Sequence, residues 1–378
     1  MDFELDGDQT LLARSVADFV AKESPVARAR RLRDDPIGWE PATFRQMGEL
    51  GFLGVAFPAE VGGFGGSMIE AAIVLERFGA SLVPEPYVAS VLLAGSVVLE
   101  AGDAAQREEL LVPMLEGRSS LALAYAEEGA RHGLRPRRLV ARRDGADYVL
   151  SGEKRWVLNG HAADALVVTA WLGGETALFV VDREAPGVAL RSVRTIDGRR
   201  AAMLRLENAR VPSSRRLALG DAEATLERAL DLAATGAVAE GLGGARTMLA
   251  ATVEHLRTRQ QFGRLLGSFQ ALQHRAAQMY IETELLASSS TQAMVRATDP
   301  DPDVRRRAVS AAKAQLAESG TFVARQTLQL HGGIGMTDEH DVGLFFKRQL
   351  ALEALFGDAE HHLARFASLP SFGLPAQG

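Results

Sequence analysis

Chemistry needs side chains that move a proton, carry a charge or let a ligand approach, and in this chain such residues fall into a few segments. Glu240 lies in Val238-Ala239-Glu240-Gly241-Leu242-Gly243-Gly244, a carboxylate among small residues on a packed helix. Such a group either acts as a base or bonds a neighbouring backbone or arginine. Asp358 follows Leu355-Phe356-Gly357, and His361 and His362 read as solvated residues at a helix start. Glycines gather in the loop from Pro58 to Gly66 and in Gln329-Leu330-His331-Gly332-Gly333-Ile334-Gly335. The first loop lacks the Lys-Ser/Thr of a P-loop and follows no clear strand, so it reads as a connecting turn. Taken alone, Gly332-Gly333 is a turn and Arg259 a cation at a helix C-terminus. Asp299 to Asp303 marks a helix boundary, and no metal site is expected. The chain has no cysteine, which excludes disulfides, thiolate catalysis and cysteine metal sites.

The elements that must position these groups separate by periodicity. Leu11, Leu12, Val16, Phe19 and Val20 recur at helical spacing, as do Phe44, Met47, Leu50 and Leu53, so residues 1–118 read as a helical domain. Short alternating runs then dominate residues 119–215: Leu139 to Arg143, Tyr148 to Ser151, Ala165 to Thr169, Ala177 to Val181 and Met203 to Leu206. Asp144-Gly145 between the first two is a hairpin signal. Residues 216–378 return to helix, with helices expected over about 222–259, 269–297, 303–331 and 342–355. Their near-continuous apolar content suits a bundle buried on several sides, a pattern that goes with oligomerisation.

Composition bounds the rest. At 378 residues, with 47% apolar and 24% charged residues, the chain is a globular protein of two or three structural units. A net charge of −6 argues against nucleic-acid binding as the main role. The apolar run from Tyr87 to Leu99 is too short to span a bilayer, and the acidic start MDFELDGDQ lacks the order of a signal peptide. A cytoplasmic location, away from membranes, is the expectation.

Pro58 to Gly66, Gly152 to Gly160, Leu206 to Pro212, Arg259 to His274 and Gln329 to Gly335, taken in chain order, together resemble the acyl-CoA dehydrogenase family. Arg259-Gln260-Gln261-Phe262-Gly263 followed by Ser268-Phe269-Gln270-Ala271-Leu272-Gln273-His274 is similar to one family signature, and Gln329 to Gly335 to a second. Pro58 to Gly66 resembles the family's N-terminal loop, Gly152 to Gly160 its strand behind the flavin, and Leu206 to Pro212 its exit from the β domain. The resemblance implies an α+β fold, mainly α: an N-terminal helical domain, a middle β-barrel-like domain and a C-terminal four-helix bundle. It implies FAD at a subunit interface. Arg259 would meet the pyrophosphate, with Gln261 and Phe262 beside it, and Leu266, Phe269 and Gln270 would line the adenosine. Gln329 belongs to the second signature, whose Gly332 and Gly333 would let backbone approach the dinucleotide. Trp156 would be a platform behind the ring or a strand-packing aromatic.

The other half of the family's site departs from the pattern. The family's Tyr-Glu-Gly-Thr, whose Glu is the catalytic base, falls on Leu355-Phe356-Gly357-Asp358, so the base position is Phe356. Thr-Glu-Pro-Gly-Ala-Gly-Ser falls on Ala126-Glu127-Glu128-Gly129-Ala130-Arg131-His132, and Trp-Ile-Thr on Trp156-Val157-Leu158, which removes two hydroxyls near the flavin. Arg131, Arg135, Arg137, Arg138, Arg142 and Arg143 either meet CoA phosphates or form a solvated face. Three functions follow from the resemblance. One is a subunit of a heteromeric α2β2 enzyme that oxidises a fatty or steroid side-chain acyl-CoA in β-oxidation, with a related chain supplying the base and electron-transfer flavoprotein as acceptor. The second is a homotetramer with a base relocated to Glu240 or Asp358. The third is a non-redox acyl-CoA-binding or assembly subunit.

Overall fold

The computed structural model describes residues 5–370. Helix α1 (Gly7–Glu23) opens with a capping box, in which the Asp6 carboxylate accepts from the Gln9 amide and the Gln9 side chain accepts from the Asp6 amide. Val16, Phe19 and Val20 form its buried face. Leu11, expected in that stripe, is 67% exposed, because it lies roughly 200° around the helix from buried Ala13. After α2 (Val26–Leu32), α3 (Pro41–Glu49) buries Phe44 and Met47. Leu50 is exposed instead, since the chain turns away at left-handed Gly51. Helix α4 (Met68–Gly79) follows, and the apolar run enters as a π-helical stretch, Tyr87–Gly95, continued by α5 (Ser96–Ala101). The Tyr87 hydroxyl donates to the Phe52 carbonyl at 3.0 Å, which lets a polar tip sit in this buried run. Helix α6 (Ala104–Leu115) ends the helical region.

The strands are β1 (Leu121–Ala124), β2 (Val140–Asp144), β3 (Asp147–Leu158), β4 (Ala165–Leu172), β5 (Glu175–Asp182), β6 (Val188–Arg194), β7 (Arg200–Val211) and the short β8 (Arg216–Leu217). They pair in the order β6-β7-β3-β2-β4-β5-β8, with β1 parallel to β4. The hairpin at Asp144 forms: Asp144 pairs with Asp147 across a two-residue turn. Against β7, β3 loses register between Leu150 and Gly152 and again between Lys154 and Val157.

By contacts the described residues form two compact units. One holds residues up to Arg31, Met68–Val83 and those from Ala234 on; the other holds Leu32–Ser67 and Pro84–Ala233. The second carries the sheet, whose core includes Leu150, Val157, Leu166, Phe179 and Leu204. The first is a bundle of α1, α4, most of α7 (Ala222–Thr258), α8 (Gln270–Arg296), α9 (Pro302–Gln315), α10 (Thr321–His331), α11 (Val342–Ala354) and α12 (Ala359–Ala367). Strands β9 (Gln260–Gln261) and β10 (Arg264–Leu265) make a small hairpin after α7. In the bundle α4 and α7 approach closely enough that a Cβ on Gly79 or Gly243 would lie 1.9 Å from a carbonyl of the facing helix. The helix expected over 303–331 is instead α9 and α10 joined by a π-helical turn, Leu316–Gly320. Buried Gln349 donates to the Leu316 carbonyl at 3.0 Å and fills the space a Cβ on Gly320 would need. A side chain inserted into the ladder is a recognised cause of such a turn.

Candidate functional site

The segment after α11 is built around Phe356. Lys313, fully buried on α9, donates to the carbonyls of Leu352 at 2.7 Å and Glu353 at 3.2 Å, so an ammonium caps the end of α11. Burial pulls its pKa down to about 7, against the raising charges of Glu353 and Asp358. Beyond the cap Phe356 turns left-handed at φ 60° and Gly357 at φ 114°, a backbone that costs a non-glycine residue about 1–2 kcal/mol. The Phe356 ring packs against the bundle core.

His362 holds this turn. Its Nε2 lies 3.1 Å from the Phe356 carbonyl and its Nδ1 3.3 Å from the Ser310 hydroxyl. A carbonyl only accepts, so Nε2 carries the proton and the Ser310 hydroxyl donates to Nδ1. The ring is 2% exposed, which corrects its reading as a solvated residue. Burial first, then Lys313 and His361, push its pKa down to about 3. A Cβ on Gly357 would meet His361 at 2.5 Å and His362 at 2.7 Å, so only glycine fits beside the rings.

Neither carboxylate considered as a base stands free. Glu240 is buried on α7 and makes a bidentate pair with Arg348 of α11, Nε to Oε1 at 2.8 Å and Nη2 to Oε2 at 2.7 Å. Of the two roles open to it, the structure gives the bond to an arginine. Asp358 is the N-cap of α12 and accepts from the His361 amide at 2.9 Å. Both make these bonds within their own unit.

The residues of the first signature are displayed rather than packed. Arg259 follows the end of α7, is exposed and has no ion pair among the described residues. Gln261 and Arg264 pair across Phe262-Gly263, and Phe262 stands at the hairpin tip, left-handed and 88% exposed. Phe269 sits half-buried beneath it, ring centroids 6.2 Å apart, with the Arg264 guanidinium 3.9 Å from its centroid. Leu266 packs against the bundle core, and Gln270 and Gln329 are exposed. Gly332 needs its glycine for φ 65°. Gly333 has no such need: its φ is ordinary and a Cβ there would meet nothing within 4 Å.

The other unit carries the remaining candidates. Trp156 lies in the β3 register shift, left-handed at φ 54° and 55% exposed. More than half of it is therefore open rather than covered. Two residues earlier, Lys154 bonds Glu127 at 2.7 Å and Thr169 at 2.7 Å with its ammonium buried. Burial pulls its pKa down to about 8 and Glu127 pulls it back up. The Glu127 carboxylate also accepts from the amides of Arg137, Arg138 and Leu139. Burial raises its pKa, and the bonds from Lys154 and the arginine amides outweigh that and lower it. With Arg155 N–H donating to the Ala126 carbonyl at 2.8 Å, this cross-brace fixes the 126–139 loop against β3. Sequence pattern does not single out the Lys154–Glu127 pair; a lysine and a glutamate beside alternating apolar strands are the only signal. Of the arginines, Arg135 pairs with Glu223 and Arg138 with Glu128, both exposed, as in a solvated face.

Models of three acyl-CoA dehydrogenase domains match the chain: the N-terminal domain over residues 6–118, the middle domain over 122–209 and the C-terminal domain over 223–368. The acyl-CoA dehydrogenase IpdE2 of Mycolicibacterium smegmatis is 31% identical over 359 residues, covering 95% of this chain and 97% of the relative. The chain belongs to the acyl-CoA dehydrogenase family. Among solved structures, the ChsE4-ChsE5 complex from Mycobacterium tuberculosis matches with a TM-score of 0.89 at 30% identity, over 98% of this chain and 100% of the other. A Tcur3481-Tcur3483 steroid ACAD variant matches with a TM-score of 0.86 at 31% identity, over 95% and 96%. Acyl-CoA dehydrogenases are oxidoreductases that act on acyl-CoA thioesters, and the helical, β, helical order expected for them is the order found. Among the described residues no helix is long and apolar enough to cross a membrane.

Proposed function

We propose that this chain is the base-less subunit of a heteromeric, FAD-dependent acyl-CoA dehydrogenase, paired with a related chain that supplies the catalytic carboxylate. One observation carries the reading: position 356 keeps a left-handed turn held by His362 while its side chain is a phenyl ring, and Glu240 and Asp358 are bound elsewhere. Forming a Cα–Cβ double bond requires a base for the α-proton as charge develops on the thioester oxygen. Phe356 cannot accept that proton, and Glu240 and Asp358 are engaged in bonds of their own.

The dinucleotide half fits the cofactor. Arg259 offers an uncommitted guanidinium to a diphosphate, Phe262 is held out at a strained tip, and Gly333 is a glycine its own chain does not require. Bound FAD supplies the hydride acceptor for the Cβ hydrogen. Within this chain Arg259, Gln261 and Phe262 would hold the nucleotide, Leu266, Phe269 and Gln270 would border its adenosine, and Gly332 and Gly333 would let backbone approach. The ring half fits less well: Trp156 remains as an exposed platform, but Ala126 and Leu158 offer no hydroxyl. Supporting the pairing, two of the matching structures carry two differently named chains. One of these is a steroid ACAD, a likeness that favours a bulky CoA thioester such as a steroid side chain, with electron-transfer flavoprotein as acceptor.

The test is FAD per chain, read by absorbance after denaturation. The chain alone is expected to hold little FAD, and co-expression with a related dehydrogenase chain to give roughly one FAD for every two chains, as one site type per heterologous interface requires. One FAD per chain in the isolated protein would overturn the reading.

A further inference from the structure

Three imidazoles lie where the two signature segments leave their helices. His255 is in the last turn of α7, and the Arg259 amide donates to its carbonyl at 2.9 Å. His331 is the last residue of α10, directly before Gly332. Their rings stack with centroids 4.5 Å apart, and His340, on the loop before α11, is 4.8 Å from His331. The hydrogen bonds settle the protons of two rings. His331 Nδ1 lies 2.8 Å from the Thr327 carbonyl and so donates, leaving Nε2 as a lone pair that is buried and without a hydrogen-bond partner among the described residues. His340 Nδ1 accepts from the Val342 amide at 3.2 Å, which puts its proton on Nε2. A buried imidazole nitrogen with nothing to accept is a costly arrangement, and it sits at the root of the glycine turn.

The place is electrostatically wrong for an anion as it stands. Two helices end here, and helix C-termini carry partial negative charge that repels phosphate and favours a cation. Besides the imidazoles themselves, the charged side chain acting on the cluster is Arg259, on His255; on the His340 loop Asp338 and Asp341 engage Arg30 from α2. Burial first, then the neighbouring imidazoles, with Arg259 acting also on His255, keep the pKa values of His255 and His331 below the usual histidine value. A diphosphate reverses that balance, because its charge favours the imidazolium that the bare site disfavours.

We propose that the stacked His255 and His331 rings, bordered by His340, form a proton-accepting subsite of the dinucleotide half, taking up a proton when a diphosphate binds at Arg259 and Gly332-Gly333. The chain's affinity for the nucleotide then falls as pH rises. This rests on the FAD-holding role argued above. By linkage, an uptake of about half a proton per nucleotide weakens binding about three-fold for each unit of pH.

The experiment is titration calorimetry of the chain, co-purified with its partner and stripped of flavin, with FAD and with ADP at pH 6.0–7.0. Each titration is run in MES and in bis-Tris, whose ionisation heats differ. The expected result is an enthalpy that depends on buffer with the sign of proton uptake, for both ligands, and lost in His331→Gln. His340→Gln, at a half-buried loop position, carries the same test should His331→Gln not fold. A residue that merely packs would change affinity equally at every pH and leave the proton count intact. Nucleotide binding without proton uptake, or with uptake unchanged in both variants, overturns the subsite while leaving the FAD-holding role standing. No binding of FAD or ADP at all overturns that role, and the subsite with it.

Discussion

At the residue scale the decisive position is 356, where backbone and side chain tell different stories. The left-handed turn, the His362 bond to the carbonyl and the closely fitted Gly357 hold the backbone at 356 independently of its side chain, and strain of that kind persists where surroundings over-determine it. Phe356→Glu should therefore fold, losing about 1–2 kcal/mol of ring packing. It should leave the isolated chain without acyl-CoA-dependent dye reduction, since Ala126 and Leu158 still lack hydroxyls; turnover by that variant alone would mean the ring half is competent. Glu240 separates the structural from the catalytic reading in the opposite way. Removing one partner of a buried bidentate pair strands the other charge, so Glu240→Ala should lower unfolding free energy by about 3–5 kcal/mol, measured by urea titration. A variant of wild-type stability that had lost only turnover would restore Glu240 as a base.

At the element scale, the parts legible in the sequence were those set by local pattern. Helices α7 and α8 end within one residue of their expected limits, Asp144-Gly145 makes its hairpin, and Pro302 starts α9 behind its Asp301 cap. What stayed hidden depends on partners distant in the chain. The π-helical turn at Leu316–Gly320 needs Gln349 from α11, and the burial of His362 needs Ser310 from α9. Strand β6 escaped because its residues are half-exposed and arginine-bearing, which blurs alternation. Of the site, the arginine and glycine motifs were readable as types at fixed spacing, whereas the lysine cap of α11 was not, since nothing local marks a lysine as buried. That tertiary wiring has a pH signature. His362 titrates near 6.5 when unfolded but is held down to about 3 when folded. As pH drops below about 6.5 the unfolded chain gains a proton that the folded chain refuses, so stability contributed by neutral His362 is lost from there towards about 3. In His362→Gln the acid-side slope of urea stability should be shallower than in wild type, by up to about 1.4 kcal/mol per pH unit. Equal slopes would mean the ring is charged in the fold.

At the scale of the whole molecule, the bundle unit leaves several large apolar side chains open. Tyr280, Ile281 and Leu285 on α8 are 56%, 49% and 47% exposed, and Met336 beside the glycine turn is 76% exposed. The three α8 side chains share one side of their helix, and an exposed apolar face of that kind is where the proposed pairing with a related chain would bury surface. Phe262 condenses the argument into one side chain. It holds a left-handed backbone that glycine would adopt freely, and 88% of it faces outward, so the isolated chain gains little from it beyond its edge contact with Phe269. Two opposite effects are therefore expected of Phe262→Gly. The isolated chain should become more stable by about 1 kcal/mol as the strained backbone relaxes, seen as a higher urea midpoint. The assembled enzyme should bind FAD about ten-fold more weakly, the usual loss when a well-placed aromatic anchor is removed. A variant that is both less stable alone and unchanged in FAD affinity would place Phe262 in the fold of its own chain and remove it from the cofactor site.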